Sequence, residues 1–144
     1  MAIPRPSDLE RGLSFYWSGV EAVKKAPPVI ARQRIDLPEF TAAWKALLPL
    51  AEAGVREAQE CIASMYDWGF GVDPNGIEAV CWYERAAAQG SGLAANNLCT
   101  LYAVGSVDVP TDREKERYWW RRTNELGFSH RRPYPANEDE QSGK

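Results

Sequence analysis

Residues 58–90 read AQECIASMYDWGFGVDPNGIEAVCWYERAAAQG, and this stretch decides the fold of the chain. Apolar residues recur in it every three or four positions, which is typical of helices with one buried face. They form two runs, Ala58, Ile62, Met65 and Tyr66, then Ile77, Val80, Cys81, Tyr83 and Ala87. Residues 69–76 between the runs read GFGVDPNG, which contains too much Gly and Pro for a continuous helix. The stretch therefore predicts two short helices joined by a glycine-rich turn.

The order and spacing of these residues resemble the Sel1-like repeat, a relative of the tetratricopeptide repeat. The matching positions are Ala58, Ile62, Ala63, Tyr66, 69–72, Ala79, Trp82, Tyr83, Ala86, Ala87 and Gly90. Ala63 is the one clear departure, because the family prefers Gly there, and we expect it only to widen a helix contact. The resemblance implies an all-α fold, a short right-handed superhelical solenoid of antiparallel helical hairpins with about six helices.

The pattern returns further along the chain. At an offset of 36 (94 − 58), the residues Ala58, Ile62, Met65, Tyr66 and Gly69 are matched by Ala94, Leu98, Leu101, Tyr102 and Gly105. At an offset of 37 (119 − 82), Trp82, Tyr83 and Gly90 are matched by Trp119, Trp120 and Gly127. Such a period indicates a helical solenoid. Glu116, Thr123 and Asn124 stand where the first copy has Ala79, Ala86 and Ala87. Large or polar residues at these positions are typical of a closing repeat, whose outer face meets water.

The N-terminal third predicts two more helices. Residues 7–10, SDLE, form a capping box, and a helix from about Asp8 to Ala26 should end before Pro27. Its apolar stripe comprises Leu9, Leu13, Tyr16, Trp17, Val20 and Val23. A second helix from Pro38 to about Ala53 has an acidic cap at Asp36, and Pro49 should kink it.

These elements divide the chain into three parts. We expect an N-terminal capping helix and connector over 1–36, a repeat array over 37–127 and a mobile tail over 128–144. Within the array, 37–54 predicts a half repeat, 55–90 a full repeat and 91–127 a closing repeat.

Composition excludes several classes of function. The net charge of −3 argues against a general nucleic-acid binder. No apolar run approaches the length of a membrane span, and the N-terminus shows no secretory signal, so we expect a cytoplasmic protein. The three cysteines, Cys61, Cys81 and Cys99, fit no metal or redox spacing. We expect buried, reduced thiols, with a reactive thiol as the alternative.

The sequence predicts no catalytic, cofactor-binding or metal site and no cofactor. Its one histidine, His130, lies in the expected tail and cannot complete a His-based triad or a typical zinc site. The glycines at 69 and 71 belong to the repeat turn rather than to a phosphate-binding loop. Glu60 and Asp67 could face each other as a carboxylate pair, but scattered acids are common on helical surfaces.

The resemblance also implies where a partner binds. In tetratricopeptide-like stacks the first helix of each hairpin lines a concave groove. Projection onto this chain places there Glu57, Glu60, Cys61, Ser64, Asp67 and Trp68 from one hairpin, and Asn96, Asn97, Thr100 and Val104 from the next. Asn96 and Asn97 resemble the amides that hold an extended peptide, and Trp68 is the best anchor candidate. The alternative is an ordinary solvated helix face.

A second candidate surface lies in the last helix. Trp119 should point inward like Trp82, which leaves Trp120 exposed beside Arg121 and Arg122 as an aromatic and basic surface for an acidic partner. The alternative is a solvated helix with opposite charges at i,i+4 neighbours.

Three functions follow from this reading. The resemblance implies a bacterial-type interaction scaffold or adaptor that binds one protein or peptide through its concave face, without chemistry of its own. One alternative is an immunity-type protein that neutralises a toxin or effector. The other is a structural subunit of a homo-oligomer, assembled through exposed ends or Trp120.

Overall fold

The computed structural model describes residues 5–25 and 33–128, and within them it contains six α-helices and no strand. The helices are α1 (Pro6–Lys25), α2 (Pro38–Glu52), α3 (Arg56–Trp68), α4 (Gly76–Ala88), α5 (Gly92–Val104) and α6 (Arg113–Glu125). Each helix packs on the next, and α1 also touches α3. The prediction of an all-α solenoid is confirmed. Residues 1–4, the connector residues 26–32 and the predicted tail from 129 onward, with His130, lie outside the described residues.

Helices α1 and α2 pack against each other and form the first hairpin. Two glycines of α1 allow this close approach. A Cβ at Gly12 would lie 2.6 Å from Cδ2 of Leu47, and a Cβ at Gly19 would lie 2.5 Å from Cε1 of Phe40. Because the early glycine meets the later α2 residue, the two helices are antiparallel. Since α2 is also antiparallel to α3 across a short turn, α1 runs parallel to α3.

Two helix starts differ from the sequence-based prediction. Helix α1 begins at Pro6, so Ser7 lies inside it, and the Asp8 carboxylate accepts a hydrogen bond from the Arg5 amide at 2.9 Å. Helix α2 has Leu37 as its N-cap and no side-chain cap, because the Asp36 carboxylate pairs instead with Arg34 at 2.7 Å. The predictions of a capping box at residues 7–10 and of an acidic cap at Asp36 are wrong.

Both repeat turns dock on the helix pair before them, but by different chemistry. In the first turn, the Ile35 amide donates to the Gly69 carbonyl at 2.7 Å and the Gly71 amide donates to the Ile35 carbonyl at 2.9 Å. In the second turn, the Asp108 carboxylate accepts from the Gly76 amide at 2.7 Å. The same carboxylate lies 3.4 Å from the amide of the next residue. Asn75 is the N-cap of α4 and accepts from the Glu78 amide at 3.0 Å, and Asp108 adds a second cap to this helix start from a different repeat.

A hydrogen-bonded glutamine pair joins the start of α3 to the end of α4, at the end of this hairpin opposite to its turn. Nε2 of Gln59 donates to the Ala51 carbonyl at 3.1 Å, and Nε2 of Gln89 donates to Oε1 of Gln59 at 2.8 Å. Gln89 also donates to the Gly54 carbonyl at 3.0 Å. The equivalent of Gln59 in the next repeat, at an offset of 36 (95 − 59), is Ala95. The glutamine link therefore cannot repeat there.

Four predicted burial states need correction, and one is Ile77, which stands in the second apolar run and is 57% exposed. Trp17, predicted on the buried stripe of α1, is 55% exposed. Thr123, predicted on a water-facing side of the closing repeat, is fully buried, and its hydroxyl donates to the Trp119 carbonyl of the preceding turn at 2.7 Å. Cys81 is exposed, whereas Cys61 and Cys99 are buried as predicted. An intrahelical hydrogen bond thus allows a polar Thr in the core, because its hydroxyl keeps a partner.

Candidate partner-binding groove

The outward sides of α1, α3 and α5 form one surface, which we call the inner face. Helices α3 and α5 contribute equivalent stripes to it, Glu57, Glu60, Ser64 and Trp68 on α3, and Leu93, Asn96, Thr100 and Val104 on α5. Each residue of the second stripe follows its counterpart by 36 positions (93 − 57, 104 − 68). Seven of these eight residues are among those that the sequence predicts in the groove, and Leu93 is the additional one.

Trp68 is the aromatic residue of these two stripes. It is the last residue of α3 and is 60% exposed. The next residue, Gly69, ends the helix with a left-handed backbone at φ +74°, which favours glycine. The helix end thus holds the backbone of Trp68 in a fixed place while its indole faces solvent.

Glu60 holds two helices together. Its carboxylate accepts a hydrogen bond from the Ser91 hydroxyl, which in turn accepts from the Ala94 amide at 3.0 Å as the N-cap of α5. Arg56 lies 3.9 Å from the same carboxylate. Glu60 therefore positions the start of α5, and its carboxylate is only partly open to a partner.

Ser64 and Cys61 lie beneath the surface contributed by α1. The Tyr16 hydroxyl donates to Oγ of Ser64 at 2.8 Å. Cys61 is buried, so the prediction that it lines the groove is wrong. Burial raises the pKa of its thiol to about 12, and the nearby carboxylates of Glu60 and Glu57 add to the effect. At neutral pH this sulfur is a protonated thiol and a poor nucleophile.

A buried hydroxyl lies where α3, α4 and α5 meet. The Tyr83 side chain of α4 is fully buried, and burial is the main cause that raises its pKa well above the ordinary value of 10, followed by the charge of Asp67. Ser64 and Asn97 lie near enough to favour its ionised form, but no hydrogen bond of normal geometry reaches the hydroxyl from a described residue. Three predicted site residues, Ser64, Asp67 and Asn97, are therefore brought together around Tyr83.

The amides and hydroxyl of α5 are less open than the sequence suggests. Asn96 and Asn97 are both partly buried. Thr100 is exposed, but its hydroxyl donates to the Asn96 carbonyl at 3.1 Å. The α5 stripe therefore offers the Asn96 amide near its centre and the exposed Leu93 and Val104 at its two ends, whereas Asn97 is the counterpart of the buried Cys61.

The second candidate surface differs from its prediction. Trp119 packs against the core, as predicted, but Trp120 is partly buried as well and its indole nitrogen is buried. The prediction of an exposed Trp120 is therefore wrong. The exposed aromatic residue of α6 is Tyr118, at 54%. Its ring meets Trp119 edge to face, with the ring centres 5.0 Å apart.

Shallow depressions lie between α4 and α6. One has a volume of about 400 Å³ and its neighbour about 250 Å³, and both are lined by Tyr102 and Lys115. Nζ of Lys115 lies 5.2 Å from the centre of the Tyr102 ring, within cation–π range. The exposed Cys81 lies on the wall of the smaller depression. The concavities nearest α6 thus lie away from the inner face.

Trp17 is the surface residue that the sequence pattern misassigns. The glycines at 12 and 19, seven residues apart, mark the side of α1 that contacts α2. Trp17 lies about 150° around the helix from them, since each residue turns the helix by about 100°. The glycine pair was the signal that could have identified Trp17 as exposed.

Within residues 5–25 and 33–128, no group of three or more His, Cys, Asp or Glu side chains is placed to hold a metal ion. In the same ranges, no helix combines the length and apolar character needed to cross a membrane.

Comparison with known proteins identifies the repeats. Residues 57–91 and 92–128 each match the Sel1 repeat family model, which confirms the resemblance seen in the sequence. A Sel1 repeat protein from Oxalobacter formigenes has a similar crystal structure, with 24% identity, a TM-score of 0.56 and coverage of 85% of this chain and 46% of that chain. No significant match was found among curated proteins.

A second solved structure is similar over much of the chain. It is a protective antigen present in uropathogenic Escherichia coli strains and displays an SLR fold. Its sequence identity is 25% and the TM-score is 0.58, with coverage of 81% of this chain and 23% of that chain. The present chain thus spans less than half the length of either solved protein.

Proposed function

The chain belongs to the Sel1 repeat family, and from this premise we propose that it is a non-catalytic scaffold that binds one partner protein through its inner face. Repeats of this family generally mediate protein–protein interaction. The observation that carries the proposal is Trp68, whose indole is 60% exposed at the end of a well-packed helix. Trp is enriched among residues that dominate binding energy, and exposed aromatic surface is typical of interfaces.

The engagement of the other polar side chains supports binding rather than catalysis. The Glu60 carboxylate accepts from Ser91, and the Ser64 hydroxyl accepts from Tyr16. Burial keeps the Cys61 thiol protonated at neutral pH by raising its pKa to about 12. These groups hold helices in place, so they are poor candidates for a nucleophile or a general base.

A single partner suits the size of the inner face. Only three helices contribute to it within the described residues. A stable interface buries roughly 800 Å² on each partner, which is about 10% of the surface of a small protein. A compact domain or a short segment satisfies that requirement better than a long extended ligand. The adaptor and the toxin-neutralising alternatives both meet this description, and the identity of the captured partner distinguishes them.

Capture from a lysate of the native host tests the proposal. Tagged wild-type protein, Trp68→Ala and Tyr118→Ala are compared by mass spectrometry, with circular dichroism as the check on folding. Tyr118→Ala is the matched control, since it also removes an exposed aromatic ring but from α6. We expect one stoichiometric partner that is lost with Trp68→Ala and kept with Tyr118→Ala. The reverse pattern would move the site to the surface between α4 and α6.

Self-association is the weaker alternative. Its main support was an exposed Trp120, and that residue is partly buried. Light scattering of the purified chain checks this point directly. A mass of 16.1 kDa fits the scaffold proposal, whereas a multiple of that mass would favour the oligomer.

A further inference from the structure

Two exposed indoles, Trp17 of α1 and Trp68 of α3, lie on helices that pack against each other, and we call the outer seam between these two helices the groove. We infer that this groove binds a basic segment of the partner, with an Arg or Lys side chain held against the indoles and close to the carboxylates of α3. The inference rests on the proposed function and adds the chemistry of the partner. It also assigns Trp17, which no repeat pattern places in a site.

The Tyr16–Ser64 hydrogen bond sets the two indoles at similar heights. The two hydroxyl oxygens lie 2.8 Å apart, so Tyr16 and Ser64 lie at the same level of parallel helices. Trp17 directly follows Tyr16, and Trp68 comes one helical turn after Ser64. Because one turn rises about 5 Å, both indoles lie within roughly one turn of that hydrogen bond along the helix axes.

Packing shows that Trp17 lies on the side of α1 that faces α3. Gly12 and Gly19 mark the side of α1 that contacts α2. Leu13 and Val20, one turn before and after Trp17, pack partly buried against the core. They lie on the same flank of α1 as Tyr16, which contacts α3. Trp17 therefore stands at the outer edge of the contact between α1 and α3.

Trp68 lies on the corresponding side of α3. It follows Cys61 by seven residues, so the two share one side of the helix. Cys61 is buried, and Ser64, three residues after it, accepts a hydrogen bond from Tyr16 of α1. The Tyr16 ring also meets the Trp17 ring edge to face at 5.1 Å. Tyr16 thus forms the floor of the groove, and the two indoles form its rims.

The charge of α3 selects a basic ligand. Residues 56–68 contain three acids and one base, Glu57, Glu60, Asp67 and Arg56, which gives a helix charge of −2 (1 − 3). Helix α5 carries no charged residue, and the six charges of α1 cancel (3 − 3). Asp67 directly precedes Trp68, and a cation on the indole face gains further attraction from the net negative charge of α3, whereas an anionic segment would be repelled.

Synthetic peptides test this chemistry without knowledge of the partner. The probe is a fluorescein-labelled Arg-Ala repeat peptide, and its citrulline counterpart is the matched control because it keeps the shape and loses the charge. Fluorescence anisotropy gives the dissociation constant of each. We expect the Arg peptide to bind the wild-type protein and the citrulline peptide to bind at least about fivefold more weakly.

Variants of the protein locate the binding. Trp17→Ala and Trp68→Ala should each weaken binding of the Arg peptide by about fivefold or more. Trp17→Phe should recover part of the binding that Trp17→Ala loses. Tyr118→Ala should leave binding unchanged. Glu57→Gln should weaken binding and reduce its dependence on salt. Equal binding of both peptides, or unchanged binding in both Trp→Ala variants, would overturn the inference.

The outcomes separate the inference from the proposed function. A partner lost with Trp68→Ala in the capture experiment, together with no affinity for the Arg peptide, would keep the scaffold and overturn the basic ligand. Absence of any captured partner would instead count against the scaffold itself. Helix α6 is basic, with five bases and three acids (5 − 3 = +2). A dimer by light scattering that Trp17→Ala dissociates would therefore assign the groove to a second copy and overturn binding of a different protein.

Discussion

The Tyr16 hydroxyl donates a hydrogen bond to the Ser64 hydroxyl at 2.8 Å and thereby joins α1 to α3 across 48 residues of sequence. The Tyr16 ring is buried, and it lies edge to face with Phe70, which is stacked on Phe40 with ring centres 4.6 Å apart. One side chain of α1 therefore contacts both the inner face and the aromatic core beneath the first repeat turn. Helix α1 therefore packs on both α2 and α3.

Substitution of Tyr16 measures how far α1 stabilises the array. Tyr16→Phe should lower the free energy of unfolding by about 1 kcal/mol, because it removes one hydrogen bond and keeps the ring. Tyr16→Ala should lower it by about 3 kcal/mol or more, because it also leaves a cavity. Urea denaturation gives these values. Trp17→Ala is the control, and we expect it to stay within about 0.5 kcal/mol of the wild type since its ring is exposed.

If Tyr16→Ala were as stable as the wild type, as expected for Trp17→Ala, α1 would contribute little to the folded array. That result would also weaken the groove between α1 and α3, which depends on a fixed α1.

Alkaline pH should destabilise the protein through its buried tyrosines. Burial is the largest cause that raises the pKa values of Tyr16 and Tyr83 above their ordinary value of 10. Above that pH the unfolded chain loses these protons while the folded chain keeps them. The stability contributed by the neutral phenols is therefore fully present below about pH 10 and falls by about 1.4 kcal/mol per pH unit for each group above it.

Urea denaturation at a series of pH values between neutral and strongly alkaline checks this slope. Tyr16→Phe and Tyr83→Phe should each remove the contribution of one phenol to this slope, and the double variant should remove both contributions. Tyr83→Phe should also cost little at neutral pH, because the hydroxyl that it removes has no well-formed hydrogen bond to a described residue. An unchanged alkaline slope in the double variant would contradict the burial of these phenols.

The cap of α4 by Asp108 should couple the two repeats. Asp108→Ala removes a carboxylate 2.7 Å from the Gly76 amide, so we expect a loss of about 0.5–2 kcal/mol in the free energy of unfolding. Gly76→Ala should cost about 1–3 kcal/mol, because a Cβ at position 76 would collide with Ser106 and Asp108. Chemical denaturation measures both. Asp73→Ala in the other turn is the matched control.

Asp73 is highly exposed and forms a surface ion pair with Arg34 at 3.8 Å, so its loss should change stability by no more than about 0.5 kcal/mol. A cost for Asp73→Ala as large as that for Asp108→Ala would show that the carboxylate at position 108 has no special role in capping.

The sequence predicts the helices because their apolar positions recur locally, and it predicts the hairpins because the second copy returns at an offset of 36. Links between distant side chains leave no such pattern. The Gln59–Gln89 pair and the Asp108 cap connect residues 30 and 32 positions apart, and neither polar pairing recurs at the repeat period. They become visible only when the packing of successive hairpins is known.

The candidate site shows the same division. The offset of 36 predicts that Trp68 and Asn96 lie on the inner face with their counterparts Val104 and Glu60, because side-chain direction follows the helical period. It does not show whether a neighbouring helix covers a residue, which is why Cys61 was predicted to line the groove and lies buried beside α1. Trp17 was misassigned for a related reason. Its neighbours on the apolar stripe face the core, whereas the two glycines of α1 turn the contact away from it.

Thiol reactivity should divide the three cysteines. Cys81 is exposed, whereas Cys61 and Cys99 are only 7% and 8% exposed. Burial also raises the pKa of Cys61 to about 12, which leaves almost no reactive thiolate at neutral pH. Ellman's reagent should therefore modify one thiol rapidly in the native protein and the other two only after unfolding in urea. Cys81→Ser should abolish the rapid phase, and a rapid phase that persists in this variant would mean that α3 or α5 opens far more readily than its packing indicates.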